Sequence, residues 1–191
     1  MPLEKAGSRG SDAPPEPWRS FLRELDECLT ETVQLHCIGG FVLSLHFGIG
    51  RQTSDVDFLS VVPHIPADDL EAIAGHGSEL HRRYRLYVQR VTIATAPADY
   101  LSRLEPMFAS AGWRRLSLFA LEAHDLALSK LERNAERDRD DVLRLARAGL
   151  LQAEILRTRY EEELRPYLTG NVDWHDKTAQ LWLEMCWPGA T

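Results

Sequence analysis

The chain has 191 residues, of which 44% are hydrophobic and 27% are charged. These values are ordinary for a soluble globular protein. The length suggests one domain, or one domain with a helical extension, that can bury a sizeable core. The formal net charge of −7 argues against a protein that coats nucleic acid with its whole surface, although it allows a local basic patch.

The cysteines and the apolar runs further limit the class of protein to which the chain can belong. Cys28, Cys37 and Cys186 are widely spaced, odd in number and form no C-x-x-C pair. Neither a zinc site nor a disulfide framework is therefore indicated. No apolar run reaches the length of a membrane span, and the first residues lack the apolar core of a signal peptide. We expect a cytoplasmic protein with reduced thiols and no membrane partner.

The N-terminal part predicts a tail, a helix and a strand. Residues 1–17 contain Gly, Ser and four prolines, which predicts a disordered tail. Residues 18–29 carry apolar side chains at helical spacing and predict an amphipathic helix. Residues 33–38 have the composition of a first strand. The regular structure is therefore expected to begin with a helix followed by a strand.

The stretch 37–62 contains a candidate metal site. After the strand come a Gly39-Gly40 turn, a short apolar helix, a polar loop and a second strand that opens with an Asp-x-Asp pattern. Residues two apart in a strand point to the same face, so Asp55 and Asp57 would project side by side. Adjacent carboxylates repel each other, and a cation between them relieves this. Mg²⁺ (or Mn²⁺) suits the place, because Mg²⁺ prefers one or two carboxylates plus substrate phosphates.

The residues before the acids predict contacts with phosphate. Gly39 and Gly40 precede a predicted helix, whose N-terminal N–H groups and dipole attract phosphate, and glycine lets a phosphate approach the backbone. The hydroxyls of Thr53 and Ser54 are natural phosphate donors, and the planar guanidinium of Arg51 suits a phosphate as well. A phosphate cradle and a carboxylate pair together suggest nucleotidyl transfer.

The remaining chain predicts further strands and then helices. Residues 84–95 have strand character, and we expect a strand antiparallel to the one that carries Asp55. Residues 113–121 alternate like another strand. The predicted fold class is α/β (α+β), a mixed β-sheet flanked by helices with a helical C-terminal part. That part is predicted to contain helices over residues 122–133, 152–164 and 173–187, and a further helix that opens near residue 137.

One of these helices places two acids on its inner face. Asp138, Asp141, Val142 and Leu145 follow the i, i+3, i+4, i+7 pattern of a single helix face. Val142 and Leu145 need burial, so Asp138 and Asp141 are expected to point inward or along the rim of the core. Asp140 falls on the opposite face and is expected to be solvated.

These motifs resemble a known superfamily. Gly-Gly followed by Arg51, Thr53, Ser54 and the Asp55-x-Asp57 strand resembles the DNA polymerase β nucleotidyltransferase superfamily. With the downstream Lys…Arg-Asp pattern, the chain is more narrowly similar to minimal nucleotidyltransferase-like proteins related to the AbiEii and MenT toxins. Several of those are nucleotidyltransferase-like domains of unknown function. The resemblance implies a nucleotidyltransferase-like fold, an NTP substrate and Mg²⁺ or Mn²⁺.

The resemblance also implies roles for residues late in the chain. Lys130 would contact phosphate, and Asp138 would supply a catalytic, metal-binding carboxylate. Asp141 matches the second acid of the family pattern, which is either catalytic or structural. Lys130 is equally compatible with a helix lysine whose stem lies along apolar surface. Many superfamily members carry a third carboxylate on a strand after the Asp-x-Asp strand, and none occurs here between Arg82 and Ala98.

Two functions follow from this interpretation and stay open. The first is a metal-dependent nucleotidyltransferase that acts on RNA, such as tRNA, or on protein, as the toxin of a toxin–antitoxin or phage-defence system with an antitoxin partner. The second is a catalytically silent module of the same fold that binds nucleotide or a partner protein. The predicted division is a tail (1–17), a nucleotidyltransferase-like core (18–121) and a helical part that completes the site (122–191). The candidate residues are Gly39, Gly40, Arg51, Thr53, Ser54, Asp55, Asp57, Lys130, Asp138 and Asp141, with Asp55, Asp57 and Asp138 as metal ligands.

Overall fold

A computed structural model describes residues 12–62, 67–92 and 94–189, and a five-stranded mixed sheet lies at its centre. The sheet is built from alternating strands with apolar residues on their buried faces, as in β2, where Val56 and Phe58 are fully buried. The strands are β1 (Val33–Cys37), β2 (Asp55–Val62), β3 (Tyr87–Arg90), β4 (Glu105–Met107) and β5 (Leu116–Ala120).

The strand order is β3-β2-β1-β5-β4. β1 lies in the middle, antiparallel to β2 and parallel to β5. β3 pairs with β2 in parallel, and β4 pairs with β5 in antiparallel fashion. β2, which carries Asp55 and Asp57, therefore lies between the central strand and an edge strand.

The helices confirm the predicted fold class, a mixed sheet flanked by helices with a helical C-terminal part. No helix within the described residues is long and apolar enough to cross a membrane. The α-helices are α1 (Trp18–Cys28), α2 (Gly39–Leu45), α3 (Ala67–Ala74), α4 (Glu79–Tyr84), α5 (Ala123–Leu128), α6 (Glu136–Arg147), α7 (Ala153–Arg159) and α8 (Val172–Cys186), and a π-helical turn (Tyr160–Leu164) continues α7.

The edge strand β3 differs from its prediction. It is parallel to β2 rather than antiparallel, and it spans four residues of the predicted 84–95. The reason is the chain between the two strands, which contains α3 and α4 and so forms a helical crossover. Such a crossover returns the chain to the end at which β2 began, whereas a tight hairpin would have given antiparallel pairing.

The helix predicted over residues 122–133 is also shorter. α5 ends at Leu128, and the hydroxyl of Ser129 donates to the Leu126 carbonyl at 2.8 Å. A serine that bonds to nearby backbone in this way competes with helix continuation. Residues 129–135 consequently form a turn before α6, and Lys130 lies on this turn rather than within a helix.

Some predicted ranges include residues outside those described. These are residues 1–11 of the predicted tail, Ile93 of the predicted strand, and residues 190–191 at the C-terminus. The end of the predicted tail contacts the first helix: Pro14 is buried, and its carbonyl accepts from Arg19 Nε at 3.1 Å.

Asp26 joins α1 to the start of β5. The side chain is 6% exposed, and its two oxygens accept hydrogen bonds from the backbone N–H groups of Arg114 (3.1 Å), Arg115 (2.6 Å) and Leu116 (2.8 Å). Burial alone would raise the pKa of Asp26, but the three backbone hydrogen bonds outweigh it and hold the pKa below its ordinary value. The ionised carboxylate is therefore part of what fixes α1 against the sheet.

We expect Asp26→Asn to lower the free energy of unfolding by about 1–3 kcal/mol, because one acceptor oxygen becomes an amide that faces backbone donors. A lowered carboxyl pKa stabilises the fold above the unfolded-state value, about 4, and this stabilisation is lost as pH falls through the folded-state value. The parent should therefore lose stability below about pH 4, and the variant should lose less over the same window.

Urea unfolding from about pH 3 to pH 7 measures both effects, since they lie within the range of carboxyl titration. Glu27→Gln, at the exposed neighbouring position of α1, is the matched control. Identical unfolding midpoints for the Asp26 variant and the parent at each pH would contradict the assignment.

Candidate active site

The end of β1 places Gly39 directly against Asp57. The backbone N–H of Ile38 donates to the Asp57 carbonyl at 2.9 Å, just after a register shift in the pairing of β1 with β2. Gly39 has φ of +72°, and a Cβ at this position would overlap Asp57 Oδ2. Only glycine combines this backbone conformation with this close approach. Gly39 is thus the backbone position that borders the Asp57 carboxylate, whereas Gly40 faces Thr53.

The Asp-x-Asp strand presents its two acids on one face, as its sequence predicts. Val56 and Phe58 are fully buried on the other face. The Thr53 hydroxyl donates a hydrogen bond to Asp55 Oδ1. Among the described residues, none donates a hydrogen bond to the carboxylate of Asp57. Within this part of the chain, the Asp57 carboxylate is therefore an acceptor without a donor, and it lies beside a second carboxylate.

The helical C-terminal part supplies cations to these acids. Lys130 and Arg133 come from the turn before α6, and Arg137 comes from the first turn of α6. Burial, together with the charge of Asp55, raises the pKa of Asp57 to about 6, and the charges of Lys130, Arg133 and Arg137 act in the opposite direction. Sequence-distant basic residues therefore lie close enough to Asp57 to stabilise its ionised form.

Acids, glycines and cations line a single cavity of about 260 Å³. Five lining side chains are basic and three are acidic, although the chain as a whole carries a net charge of −7. A local excess of positive charge of this kind attracts anions. The lining residues are Gly39, Gly40, Arg51, Thr53, Asp55, Asp57, Gln89, Arg90, Val91, Thr92, Lys130, Arg133, Arg137 and Asp141.

Eight of the ten candidate residues from the sequence line this cavity, and two do not. Ser54 is exposed, and it is its backbone carbonyl that is engaged, accepting from Tyr87 N at 3.0 Å. Asp138 is fully buried behind the lining, and both its oxygens accept hydrogen bonds from Arg133. Asp141 does reach the cavity, where it accepts a hydrogen bond from Lys130 Nζ at 2.9 Å.

The third metal ligand is the expectation that the geometry supports least. Across the described residues, no group of three or more His, Cys, Asp or Glu side chains is placed to hold a metal ion. Asp138, predicted as the third ligand, has its carboxylate committed to Arg133 and to the backbone N–H of Ala135. Metal binding by Asp55 and Asp57 stays a prediction.

Sequence reasoning missed the wall formed by β3 and two of the basic residues. Gln89 lies opposite Asp57 in the β2–β3 register, so it occupies the neighbouring strand position on the side of the acids. The predicted antiparallel pairing of β3 does not indicate that residue 89 lies opposite Asp57. Arg133 and Arg137 are four residues apart and both precede Asp138, and this spacing is the sequence signal that pointed to a second group of basic residues at the site.

The protein has a mixed sheet, an Asp-x-Asp strand next to a Gly-Gly motif, and a cavity lined by basic side chains. These features together are those of a nucleotidyltransferase-like protein. A family model described as "Nucleotidyltransferase of unknown function (DUF6036)" matches residues 20–182. The chain belongs to this family, and the match extends from α1 to α8, so it includes both the sheet and the helical part. No curated protein and no solved structure matches the chain. The relationship to AbiEii and MenT toxins stays a prediction.

The two adjacent glycines allow a matched test of the site geometry. We expect Gly39→Ala to destabilise the protein by about 1–2 kcal/mol or more, because an L-residue at positive φ is strained and its Cβ displaces the Asp57 carboxylate. Gly40→Ala should be neutral or slightly stabilising. Its Cβ would lie 3.4 Å from Thr53 Oγ1, an ordinary contact, and alanine favours a helix by up to about 1 kcal/mol.

Urea unfolding of the two variants and the parent gives the comparison. Equal stability of Gly39→Ala and Gly40→Ala would show that Gly39 does not abut Asp57 in the way described.

Proposed function

We propose that the protein is a metal-dependent nucleotidyltransferase that transfers a nucleotidyl group from an NTP to a macromolecular acceptor. One observation carries the proposal: the Asp57 carboxylate, to which none of the described residues donates a hydrogen bond, lies with Asp55 in a cavity whose other charged residues are mostly basic. An anion alone would not require the two acids, and a cation alone would not require the five basic side chains. A triphosphate bound together with a divalent cation uses both.

The donor set fits Mg²⁺ or Mn²⁺ bound jointly with substrate. Asp55 and Asp57 supply hard oxygen ligands, and the absent Cβ of Gly39 keeps the region beside Asp57 Oδ2 free of a side chain. Two carboxylates with substrate phosphates, rather than an all-protein cage, are the arrangement that Mg²⁺ prefers. When bound, the cation would neutralise negative charge at the phosphates and polarise them toward attack.

The chain's own residues bind and orient the substrate. Arg51, Lys130 and Arg133 offer charged donors to the phosphate oxygens, and Gly39-Gly40 lets the phosphates approach the backbone. In the transfer, an acceptor hydroxyl oxygen forms a bond to the α-phosphorus, and the bond to the bridging oxygen of the β-phosphate breaks. Pyrophosphate leaves, and the hydroxyl proton passes to solvent. Fixed cations around the cavity stabilise the charge that develops on the leaving pyrophosphate.

The acceptor and the biological role are proposed from the resemblance to AbiEii and MenT toxins. It supports RNA, such as tRNA, or protein as acceptor, and a role as the toxin of a toxin–antitoxin or phage-defence system with an antitoxin partner. Three free cysteines support a reducing compartment, the cytoplasm.

The alternative is a catalytically silent module of the same fold that binds nucleotide or a partner protein. The observation that favours it is Gln89, a neutral side chain at the strand position opposite Asp57. A site with two acids on β2 and none on β3 has fewer ligands for a second cation. Binding of nucleotide without transfer would follow.

Incubation with each α-labelled NTP separates the two functions. We expect the parent, with Mg²⁺ or Mn²⁺, to label total cellular RNA or protein. Asp57→Asn should reduce labelling on the order of 100-fold or more, since even residues that only support metal ligands are worth 10- to 100-fold. Asp140→Asn, at an exposed acid of α6 outside the cavity, should label like the parent. NTP binding without labelling of any acceptor would favour the silent module.

Calorimetric measurement of NTP binding in Mg²⁺ and in EDTA tests the metal assignment. In Mg²⁺, the double variant Asp55→Asn/Asp57→Asn should bind NTP about tenfold more weakly or worse, because the carboxylates no longer hold the cation. In EDTA the same variant should bind NTP as tightly as the parent or more tightly, because two repelling charges are gone. Unchanged affinity in Mg²⁺ would refute metal binding by these acids.

A further inference from the structure

One wall of the cavity is the turn of residues 129–135, and this turn is held firmly to the core. Leu131 is fully buried. Asn134 has φ of +42°, and its side-chain oxygen accepts a hydrogen bond from Trp182 Nε1 of α8 at 3.2 Å. The backbone that carries Lys130 and Arg133 is therefore fixed from within the helical part.

Arg133 points from this turn into the cavity and is oriented by a buried acid. Its Nε and Nη2 donate to the two oxygens of Asp138 at 2.8 and 2.5 Å. The arginine side chain is 41% exposed, whereas Asp138 is fully buried. A guanidinium has five N–H groups, and this pair uses two of them. The remaining three are available to an anion in the cavity.

The same acid also faces the lysine of the cavity. Lys130 Nζ lies 3.7 Å from Asp138 Oδ1 and donates to Asp141 Oδ2 at 2.9 Å. Burial alone would raise the pKa of Asp138, but the Arg133 hydrogen bonds and the Lys130 charge outweigh it and lower the pKa. Asp138 thus remains an anion behind the lining, in contact with two cations that belong to the lining.

We propose that Arg133 is a triphosphate-binding residue and that Asp138 is the positioning residue that holds Arg133, together with Lys130, toward the phosphates. The assignment rests on the proposed function, since it takes the substrate to be an NTP. A guanidinium held in place by a bidentate carboxylate has little rotamer freedom left to lose, so its phosphate hydrogen bonds come at a smaller entropic cost.

This assignment differs from a metal-ligand role for Asp138 in a measurable way. A metal ligand contributes to cation binding even when no phosphate is present. A positioning residue contributes only to phosphate binding, and only through Arg133 and Lys130. Asp138→Asn removes the charge and the bidentate pair, yet it keeps an oxygen to accept from Ala135 N, which the native carboxylate does at 3.0 Å. The start of α6 should therefore survive the substitution.

The experiment is calorimetric titration of the full-length protein with inorganic tripolyphosphate in Mg²⁺. We expect Arg133→Gln and Asp138→Asn each to weaken binding about tenfold or more, the value of one charged hydrogen bond. The double variant should lose clearly less than the sum of the two single losses, because Asp138 acts largely through the arginine. Arg144→Gln, an exposed arginine of α6, is the matched control and should bind like the parent.

Titration with Mn²⁺ alone, followed by electron paramagnetic resonance, completes the test. Asp138→Asn should bind Mn²⁺ like the parent, and a tenfold loss there would restore the metal-ligand role and overturn the proposal. Fully additive losses in the double variant, or unchanged tripolyphosphate binding by Arg133→Gln, would overturn it as well. If circular dichroism shows that Asp138→Asn does not fold, Arg133→Lys decides: it keeps the charge and loses the bidentate pair, and unchanged affinity would refute positioning.

The outcome is separable from that of the proposed function. A parent protein that binds tripolyphosphate but labels no acceptor defeats nucleotidyl transfer and leaves the Arg133 assignment in place. A parent that labels an acceptor while the Arg133 and Asp138 variants bind tripolyphosphate equally well defeats only this inference. A parent that does not bind tripolyphosphate overturns the inference, whatever the labelling shows.

Discussion

The repulsion between Asp55 and Asp57 is the constraint around which the rest of the site is arranged. At an effective dielectric constant near 20, two like charges about 5 Å apart repel by roughly 3 kcal/mol. The raised pKa of Asp57, about 6, expresses the same cost together with burial. The charges that relieve it come from Lys130, Arg133 and Arg137. These follow the sheet in sequence, so the helical part and the sheet form one electrostatic unit.

That unit is layered by alternating charge. The two acids of β2 face the cavity, basic side chains of the turn and of α6 line it, and the buried Asp138 lies behind them. A buried acid without partners would be strongly destabilising, but Asp138 has a bidentate guanidinium and a backbone donor. The charges of each layer are therefore stabilised by the opposite charges of the layer beside it. The family match covers this whole arrangement rather than the Asp-x-Asp strand alone.

The sequence predicts local features of this site well and its long-range pairing poorly. Strand periodicity placed Asp55 and Asp57 on one face, and helix periodicity turned Asp138 inward and Asp140 outward, because these depend only on residues a few positions apart. The direction of β3 depends on how α3 and α4 carry the chain back, and no short pattern encodes it. The role of Asp138 had the same limit: periodicity showed that it is inside, but only the fold shows that Arg133 occupies its oxygens.

Gln89 occupies a position where a third carboxylate would add to the repulsion between Asp55 and Asp57. The β2–β3 register puts residue 89 opposite Asp57, where a carboxylate would add a further repulsive interaction of roughly 3 kcal/mol at a separation near 5 Å. The lining cations already include five side chains, yet Arg133 and Lys130 are partly engaged by Asp138 and Asp141. The N–H groups of these cations that remain free would be divided between a third acid and the phosphates. A neutral amide at this position instead leaves the positive potential of the cavity to an anionic substrate, and it reduces the charge that a bound cation must offset.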